Sequence, residues 1–268
     1  MIIETVSHLR KYNYSNELKL YMVNFEKINF HQTCVFPYNI LVVVKEDDNT
    51  DESYIYSKQT EEYHSLRRGH YYFIPTGITA EYCLRPNIRY YTFHLGLELY
   101  PGIDLFSSLR HISAGKADQW LGAIEEVYHD KDEFRALCRL RQVLLAFFLA
   151  HWPAERHHEQ IPEEFRALMQ YIKTQSDATM TVEAIAERMK MTPEAFSRKF
   201  HRLIAMPPKA FIMRCLLEKI TAQLCNSDKT IRQISVELQF SSEFYLSRFF
   251  KKAMRISPLA YKSMVRKA

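Results

Sequence analysis

At 268 residues the chain is too long for one small domain and comfortable for two. A hydrophobic fraction of 47% excludes wholesale disorder, and five cysteines (Cys34, Cys83, Cys138, Cys215, Cys225) without C-x-x-C or zinc spacing read as reduced thiols of a cytoplasmic protein. The net charge of +5 hides an asymmetry: residues 1–160 hold 17 Lys and Arg against 21 Asp and Glu, whereas residues 161–268 hold 19 against 10, the charge footprint of a nucleic-acid-binding part joined to a regulatory one.

In chain order, the opening MIIETVSHLRKYNYS has no apolar core of a signal peptide, so none is expected. Residues 18–96 read as strands: LKLYMVNF, YNILVVVK, SYIYSK, HYYFIP, AEYCL and IRYYTFHL are short runs rich in Val, Ile and Tyr, broken by EDDNTDE, PTG and RPN. Such runs predict an antiparallel sandwich or barrel. From residue 117 to 151 the period turns helical, with Trp120, Ile124 and Val127 in one apolar stripe and Phe134, Leu137, Leu144 and Phe148 in another, separated near 129–132. The longest apolar run, 143–150, is too short to cross a bilayer, so no membrane partner is expected. The polar, proline-bearing segment WPAERHHEQIP predicts a linker, and His157 and His158 within it read as solvated.

Everything beyond Pro162 predicts helix. All six glycines lie before residue 123, which suits a helical C-terminal part. Phe165, Leu168, Met169 and Ile172 form an inward stripe, and a second helix runs from about Thr181 through Ile185 and Met189. Thr192-Pro193-Glu194 opens a third with a capping hydroxyl, a first-turn proline and a carboxylate favoured by the helix dipole. A long helix follows Pro207-Pro208 to about Cys225, Thr230-x-x-Gln233 is a capping box, Ser241 or Ser242 caps the next helix, and Ser257-Pro258 begins the last.

These helices repeat. Val182-x-x-Ile185-Ala186 is echoed by Ile231-x-x-Ile234-Ser235, Phe196-Ser-Arg-x-Phe200 by Leu246-Ser-Arg-x-Phe250, and Pro208-x-x-Phe211 by Pro258-x-x-Tyr261. Each unit is a short helix, a tight turn, a second helix and a proline-led exit: a helix-turn-helix. In the first unit Glu194, Arg198 and His201 face outward, flanked by Ser197 and Arg202; in the second, Phe244, Arg248 and Lys251, flanked by Ser247 and Lys252. A helix in the major groove presents such residues to base edges and phosphates: Arg pairs with guanine, Phe meets a thymine methyl, Glu accepts from cytosine, and Ser and Lys hold the backbone. Thr192, Ser242 and Glu243, at the helix starts, complete the candidate DNA-binding set.

The segment TIRQISVELQFSSEFYLSRFFKKAMRISPLAYK, residues 230–262, resembles the second helix-turn-helix and signature region of the AraC/XylS family of bacterial transcription regulators, and the resemblance extends over about 162–266. It implies two recognition helices in successive major grooves, with Arg198 and Arg248 among the base-contacting residues and Glu194, Glu243 and Phe244 near them, and a second unit close to bound RNA polymerase. Where the family carries glycine in the turn before each recognition helix and again before the exit motif, this chain has Lys190, Gln239, Ala205 and Arg255; Leu216 and Ile220 stand where the linking helix usually has Arg and Ala. A left-handed backbone at the four turn positions would cost about 1–2 kcal/mol each.

Upstream, Gly69-HYYFI-Pro75-Thr-Gly77 followed by Ala80 resembles the second cupin motif with its histidine replaced, and the first cupin motif is absent. No metal, catalytic residue or cofactor is therefore expected. Resemblance to the family's sugar-responsive members implies a small-molecule effector, a sugar or related metabolite, in a β-barrel preceded by an N-terminal arm and followed by dimer helices. The candidate ligand residues are His31, His64, Tyr82, Arg89, Tyr91 and His94. Arg89 and Tyr91 share one strand face and Tyr90 and His94 the other, so both sets cannot line one pocket. The expectation is a two-domain α+β protein: a cupin-like jelly-roll barrel (1–115), a dimerisation segment (116–151), a linker (152–161) and an all-α DNA-binding domain (162–268) with two helix-turn-helix units joined by a long helix. It would be a cytoplasmic, homodimeric regulator of transcription, an activator, binding double-stranded DNA. The alternative is a cupin-type enzyme with an accessory helical domain; no hydrolase triad, P-loop or dinucleotide pattern supports it.

Overall fold

The computed structural model describes residues 17–26, 29–47, 49–151 and 161–266. The expected N-terminal arm, His157, His158 and all but the last residue of the expected linker lie outside the described residues. The strands are β1 (Glu17–Glu26), β2 (Phe30–Val35), β3 (Asn39–Glu46), β4 (Tyr54–Ser57), β5 (Tyr63–Ser65), β6 (His70–Ile74), β7 (Thr79–Leu84), β8 (Arg89–Tyr100), β9 (Ile103–Asp104) and β10 (Ser113–Lys116). They make two antiparallel sheets: β1-β8-β3-β6-β10 with β9 on β8, and β2-β7-β4-β5.

Burial follows the strand period of two. Ile40, Val42, Val44, Tyr72, Ile74 and Tyr90 of the larger sheet meet Cys34, Ile55, Ala80, Tyr82 and Leu84 of the smaller one in a single core. Their neighbours Leu41, Val43, Tyr71, Phe73, Tyr91 and Phe93 face the other way and form a second core with two helices, α1 (Asp118–His129) and α2 (Glu133–Ala150). With both faces of the larger sheet covered, β3 has to be apolar at successive positions rather than alternating. The chain reverses at Gly69 and Gly77, both with positive φ (70° and 80°), inside the cupin-like stretch.

Four strands were not legible: β2, β5, β9 and β10. β2 is an edge strand whose residues are mostly half-buried or exposed, so its composition FHQTCV carries no apolar alternation. The second helical stripe also differs. α2 buries Leu140, Leu144, Phe147 and Phe148, while Phe134 (78% exposed) and Leu137 turn to solvent. Phe134 lies with Leu145 and Leu149 on a separate outward face, as residues 11 and 15 positions apart do at about 3.6 residues per turn.

The C-terminal helices are α3 (Glu163–Gln175), α4 (Val182–Arg188), α5 (Pro193–Ile204), α6 (Pro208–Asn226), α7 (Ile231–Glu237), α8 (Glu243–Met254) and α9 (Pro258–Arg266). Phe165, Leu168, Met169 and Ile172 of α3 are buried as their spacing predicts. Thr181, Thr192, Thr230 and Ser242 each cap the following helix through the side-chain oxygen, and Thr230 with Gln233 forms the full capping box. The two units have separate cores. Phe165, Phe196, Phe200 and Phe211 centre the first; Ile234, Leu246, Phe250 and Tyr261 belong to the second, which is continuous with the core between the sheets.

Lys190, Ala205, Gln239 and Arg255 all adopt the left-handed region, at φ 53°, 55°, 56° and 66°. Each closes a helix of a helix-turn-helix unit where glycine would be unstrained. Gln239 has a compensation: its Nε2 donates to Asp177 Oδ2 at 2.8 Å, tying the second unit's turn to the loop before α4, where Ala178 N also donates to Leu238 O. Ala205→Gly and Arg255→Gly are therefore expected to raise stability by about 0.5–1 kcal/mol each, strain relief exceeding the added unfolded-state entropy. Gln239→Gly should gain close to nothing, since a hydrogen bond worth about 1 kcal/mol goes with the strain. Urea midpoints at constant slope will separate the cases.

Candidate functional site

The two second helices of the repeat, α5 and α8, present equivalent outward faces. On α5, Glu194, Arg198, His201 and Arg202 are exposed and Ser197 is half-buried. On α8, Phe244 (77% exposed), Arg248, Lys251 and Lys252 are exposed, while Glu243 and Ser247 are half-buried. Thr192 and Ser242 sit at the two N-caps, where each hydroxyl oxygen accepts from a backbone N–H, at 3.3 Å from Ala195 N and 3.1 Å from Tyr245 N. They hold the first turns of the outward faces in place, and their hydroxyls are already engaged. The opposite faces anchor the helices: Phe196 and Phe200 on one, Leu246, Phe250 and Met254 on the other, are buried.

Two features of this face were not legible. Tyr245 is half-exposed and lies under Arg248, whose Cζ stands 5.9 Å from the ring centroid, so the guanidinium is oriented by a cation–π contact. Beside α5, Arg198, His201, Arg202 and Lys209 line an open hollow of about 490 Å³ with Val182, Ser197, Pro207 and Pro208. Cations around the N-terminus of α6 make this hollow suited to a phosphate. The chemistry of both faces is that of a surface reading a polyanion with side chains fit for base edges.

Between the sheets the candidate ligand residues separate. Tyr82 and His94 are buried in the interior. The Tyr82 hydroxyl is buried without a hydrogen-bond partner, and burial raises its pKa. Burial likewise lowers the His94 imidazole to about 3, so it is neutral; its Nδ1 lies 3.2 Å from Tyr38 Oη. His64 packs edge-on against Tyr72, its buried Nε2 without a hydrogen bond and 3.9 Å from Glu62 Oε2. The other three lie elsewhere. His31 is on the outer face of the smaller sheet, bonded to Glu81 Oε1 at 2.9 Å; Arg89 is exposed beside Glu46; Tyr91 faces the helices, its ring 4.8 Å from that of Tyr128. The strand parity that separates Tyr91 from His94 is thus realised.

The sheet part and the helices meet in a polar seam that sequence periodicity could not reveal. Glu98 of β8 is 4% exposed and accepts from Lys19 Nζ of β1 at 2.8 Å and from Lys173 Nζ of α3. Burial alone would raise its pKa, but the hydrogen bonds and charges of Lys173 and Lys19 hold the carboxyl below the ordinary range. Arg214 of α6 donates to Gly102 O, and a Cβ at Gly102 would stand 2.7 Å from the Phe211 ring, so a bare backbone is needed there. Glu218 of α6 faces the same seam. Burial, helped by the Glu98 charge and opposed by Arg214, Lys19 and Lys173, raises its pKa to about 7. The folded chain therefore binds a proton that the unfolded chain releases near the ordinary value of 4.5. Its contribution to stability is present in full below pH 4.5, declines as pH rises toward about 7 and is absent above. Glu218→Gln is expected to be the more stable form at pH 8 and to flatten that decline, as urea midpoints between pH 5 and pH 8 would show.

Residues 185–264 match the family model described as a helix-turn-helix domain. The MmsAB operon regulatory protein of Pseudomonas aeruginosa is 23% identical over 158 residues, 59% of this chain and 50% of that protein. Regulatory protein PocR of Salmonella typhimurium is 24% identical over 102 residues, 38% of this chain and 34% of that protein. The match thus spans half or less of the length of these curated relatives, which are named as regulators and not as enzymes. Among solved structures, wild-type ToxT of Vibrio cholerae with bound unsaturated fatty acid aligns at TM-score 0.63 and 11% identity over 96% of this chain and 98% of its own. A single-substitution variant of apo ToxT aligns at 0.61 and 12%, over 94% and 99%. At that identity the likeness is one of fold, and it takes in the sheets and the helices together.

Proposed function

We propose that this chain, whose residues 185–264 are a helix-turn-helix domain of the AraC type, is a sequence-specific DNA-binding regulator of transcription controlled by a small molecule taken up between its two sheets. The observation that carries the reading is the equivalence of α5 and α8: each is capped by a Ser or Thr, anchored by buried aromatic residues, and turns an exposed Arg outward at the same place of the repeat, Arg198 and Arg248. Thr192, Glu194, Ser197, Arg202, Ser242, Glu243, Phe244, Ser247, Lys251 and Lys252 surround the two arginines on those faces. RNA polymerase is the partner assigned to the second unit, and activation the direction. Selection of bound sequences from random double-stranded DNA by the full chain tests this. Enrichment of a two-part site supports it, and no enriched sequence would sink it.

For the effector, Tyr38, Tyr82 and His94 offer polar groups beside Phe36, Ile40, Val42, Ile74 and Ile88, with Tyr72, Tyr90 and Thr92 also buried. Aliphatic and aromatic side chains dominate this interior, so a compact, mostly apolar, uncharged molecule with one or two hydroxyl groups suits it better than a sugar. The ToxT structure with an unsaturated fatty acid supports an apolar ligand for the fold. A two-fold contact through the outward face of α2 (Phe134, Leu145, Leu149) is assigned as the homodimer interface, the α1–α2 pair serving both as cover for the sheet and as partner surface. Phe134→Glu combined with Leu149→Glu is expected to convert a dimer into a monomer at micromolar concentration in equilibrium sedimentation. A wild-type chain already monomeric would remove the assignment.

A further inference from the structure

The last helix of the DNA-binding part reaches into the core between the sheets. Tyr261 of α9 is fully buried, and its hydroxyl is hydrogen-bonded to the hydroxyl of Tyr38, which lies just before β3. Tyr38 Oη is in turn 3.2 Å from His94 Nδ1, and its ring lies 5.0 Å from the imidazole. On the other side Tyr261 Oη meets Cys225 Sγ of α6 at 3.6 Å, and the Tyr261 ring stands edge-on to Phe250 of α8 at 5.5 Å. Phe36 contacts Tyr38, His94, Tyr82 and Tyr261, with ring centroids 5.5, 5.7, 5.9 and 6.4 Å away. A continuous path therefore runs from the polar groups of the sheet interior, through one phenol, to the buried face of the second recognition helix.

Three facts make that phenol more than core filling. The group it engages, Tyr38, and the His94 that Tyr38 contacts are polar side chains of a mostly apolar interior, and Tyr82 beside them has a buried hydroxyl with no hydrogen-bond partner. Burial keeps His94 neutral and raises the Tyr38 pKa well above its ordinary value, so this interior accepts an uncharged hydroxyl and penalises an ion. And Tyr261 comes from the helix that follows the recognition helix, so withdrawing it also withdraws a wall of the core holding Phe250.

We propose that Tyr261 is the internal occupant of the effector site: an uncharged ligand with a ring and a hydroxyl takes the place of its phenol against Tyr38 and His94, and by displacing it frees the second helix-turn-helix unit from the sheets. This rests on the regulatory reading above and names the coupling between its two parts. Because an internal ligand competes with an external one, affinity for the external ligand is reduced by the fraction of molecules in which Tyr261 is seated.

The test uses the full chain with p-cresol, the side chain of tyrosine as a free molecule. Wild type should bind p-cresol weakly by calorimetry, and saturation should separate the two parts, read as a larger radius of gyration in small-angle scattering and faster amide exchange in α9. Tyr261→Leu should bind p-cresol about tenfold or more tightly and be separated before ligand is added. A hole left by any buried tyrosine could bind cresol, so separation of wild type by the ligand is the decisive readout. If Tyr261→Leu does not fold, Tyr261→Phe serves: the ring without its hydroxyl should bind p-cresol more tightly than wild type, and adding Tyr38→Phe should remove that gain. Equal affinity of wild type and the Tyr261 variants, or binding by wild type with unchanged scattering and exchange, overturns the proposal. None of these readouts involves DNA, so they fail independently of the sequence selection that tests the regulatory reading.

Discussion

Phe200→Ala is expected to lower stability by about 3–5 kcal/mol, the cost of a large aromatic removed from a site that cannot collapse. Phe200 is fully buried, and its ring lies 5.4 Å from Phe211, 5.5 Å from Phe196 and 6.4 Å from Phe165, so two other helices and the preceding turn of its own lose contacts at once. Phe250→Ala, at the matching place of the repeat, falls in the same range but should spread differently. The core of the first unit is closed by Tyr100 and the helices, whereas that of the second continues between the sheets through Tyr261 and Phe36. In native-state exchange, Phe200→Ala should weaken protection mainly in α3–α6. Phe250→Ala should also weaken β2 and β3, since the aromatic chain from Phe250 to Tyr38 carries the loss across. Identical patterns for the two variants would contradict the separation of cores.

The helices of the C-terminal part were legible because local chemistry and the pattern of apolar residues agree there. Thr192-Pro193-Glu194 and Thr230-x-x-Gln233 announce helix starts with side chains that perform that role in the structure, and duplication makes each reading check the other. The strands were legible where runs of Val, Ile, Tyr and Leu mark them; three of the four missed are two to four residues long, and the fourth, β2, is an edge strand with only Cys34 buried. The outward faces of α5 and α8 could be read from helical spacing. The sheet interior could be read only in part: parity on β8 divides Tyr91 from His94 but does not say which side is inward. The seam of Lys19, Glu98, Lys173 and Glu218 and the contact of Tyr38 with Tyr261 left no sequence signal. Their members are far apart in the chain and ordinary in their own elements, and only the docking of helices on sheets brings them together.

The four left-handed residues show what departure from the family pattern means physically. Strain that a glycine would remove persists at Lys190, Ala205, Gln239 and Arg255, yet every helix of the two units keeps its expected extent. Turn geometry is imposed by the packing on either side, with cores centred on Phe200 and Phe250 strong enough to hold each turn at about 1–2 kcal/mol of backbone cost. At Gln239 the side chain returns part of that cost through Asp177, which joins the two units and helps fix the angle between their outward faces.

That angle bears on the second large effect. Arg248→Ala is expected to weaken specific DNA binding by about 1–3 kcal/mol and to relax sequence preference at one base pair, and Arg198→Ala to do the same at a pair in the other half of the site. The two arginines sit on different helices with no shared partner, so the double variant should lose the sum, about 2–6 kcal/mol, if both helices occupy grooves at once. A double variant no weaker than Arg248→Ala would mean that one unit alone reads sequence. Lys251→Ala provides the contrast: an ammonium on the rim of α8 should weaken binding to all sequences alike and lower the salt dependence by about one unit of slope, leaving preference unchanged. Phe244→Ala should act only on sites with thymine at its position, because a ring 77% exposed to solvent gains from a methyl group and has no hydrogen bond to lose. Measured against sequences drawn from the selection and against scrambled DNA at two salt concentrations, the four variants separate readout of bases from attraction to phosphate, and so decide whether the repeated outward arginine is the reason the fold carries the unit twice.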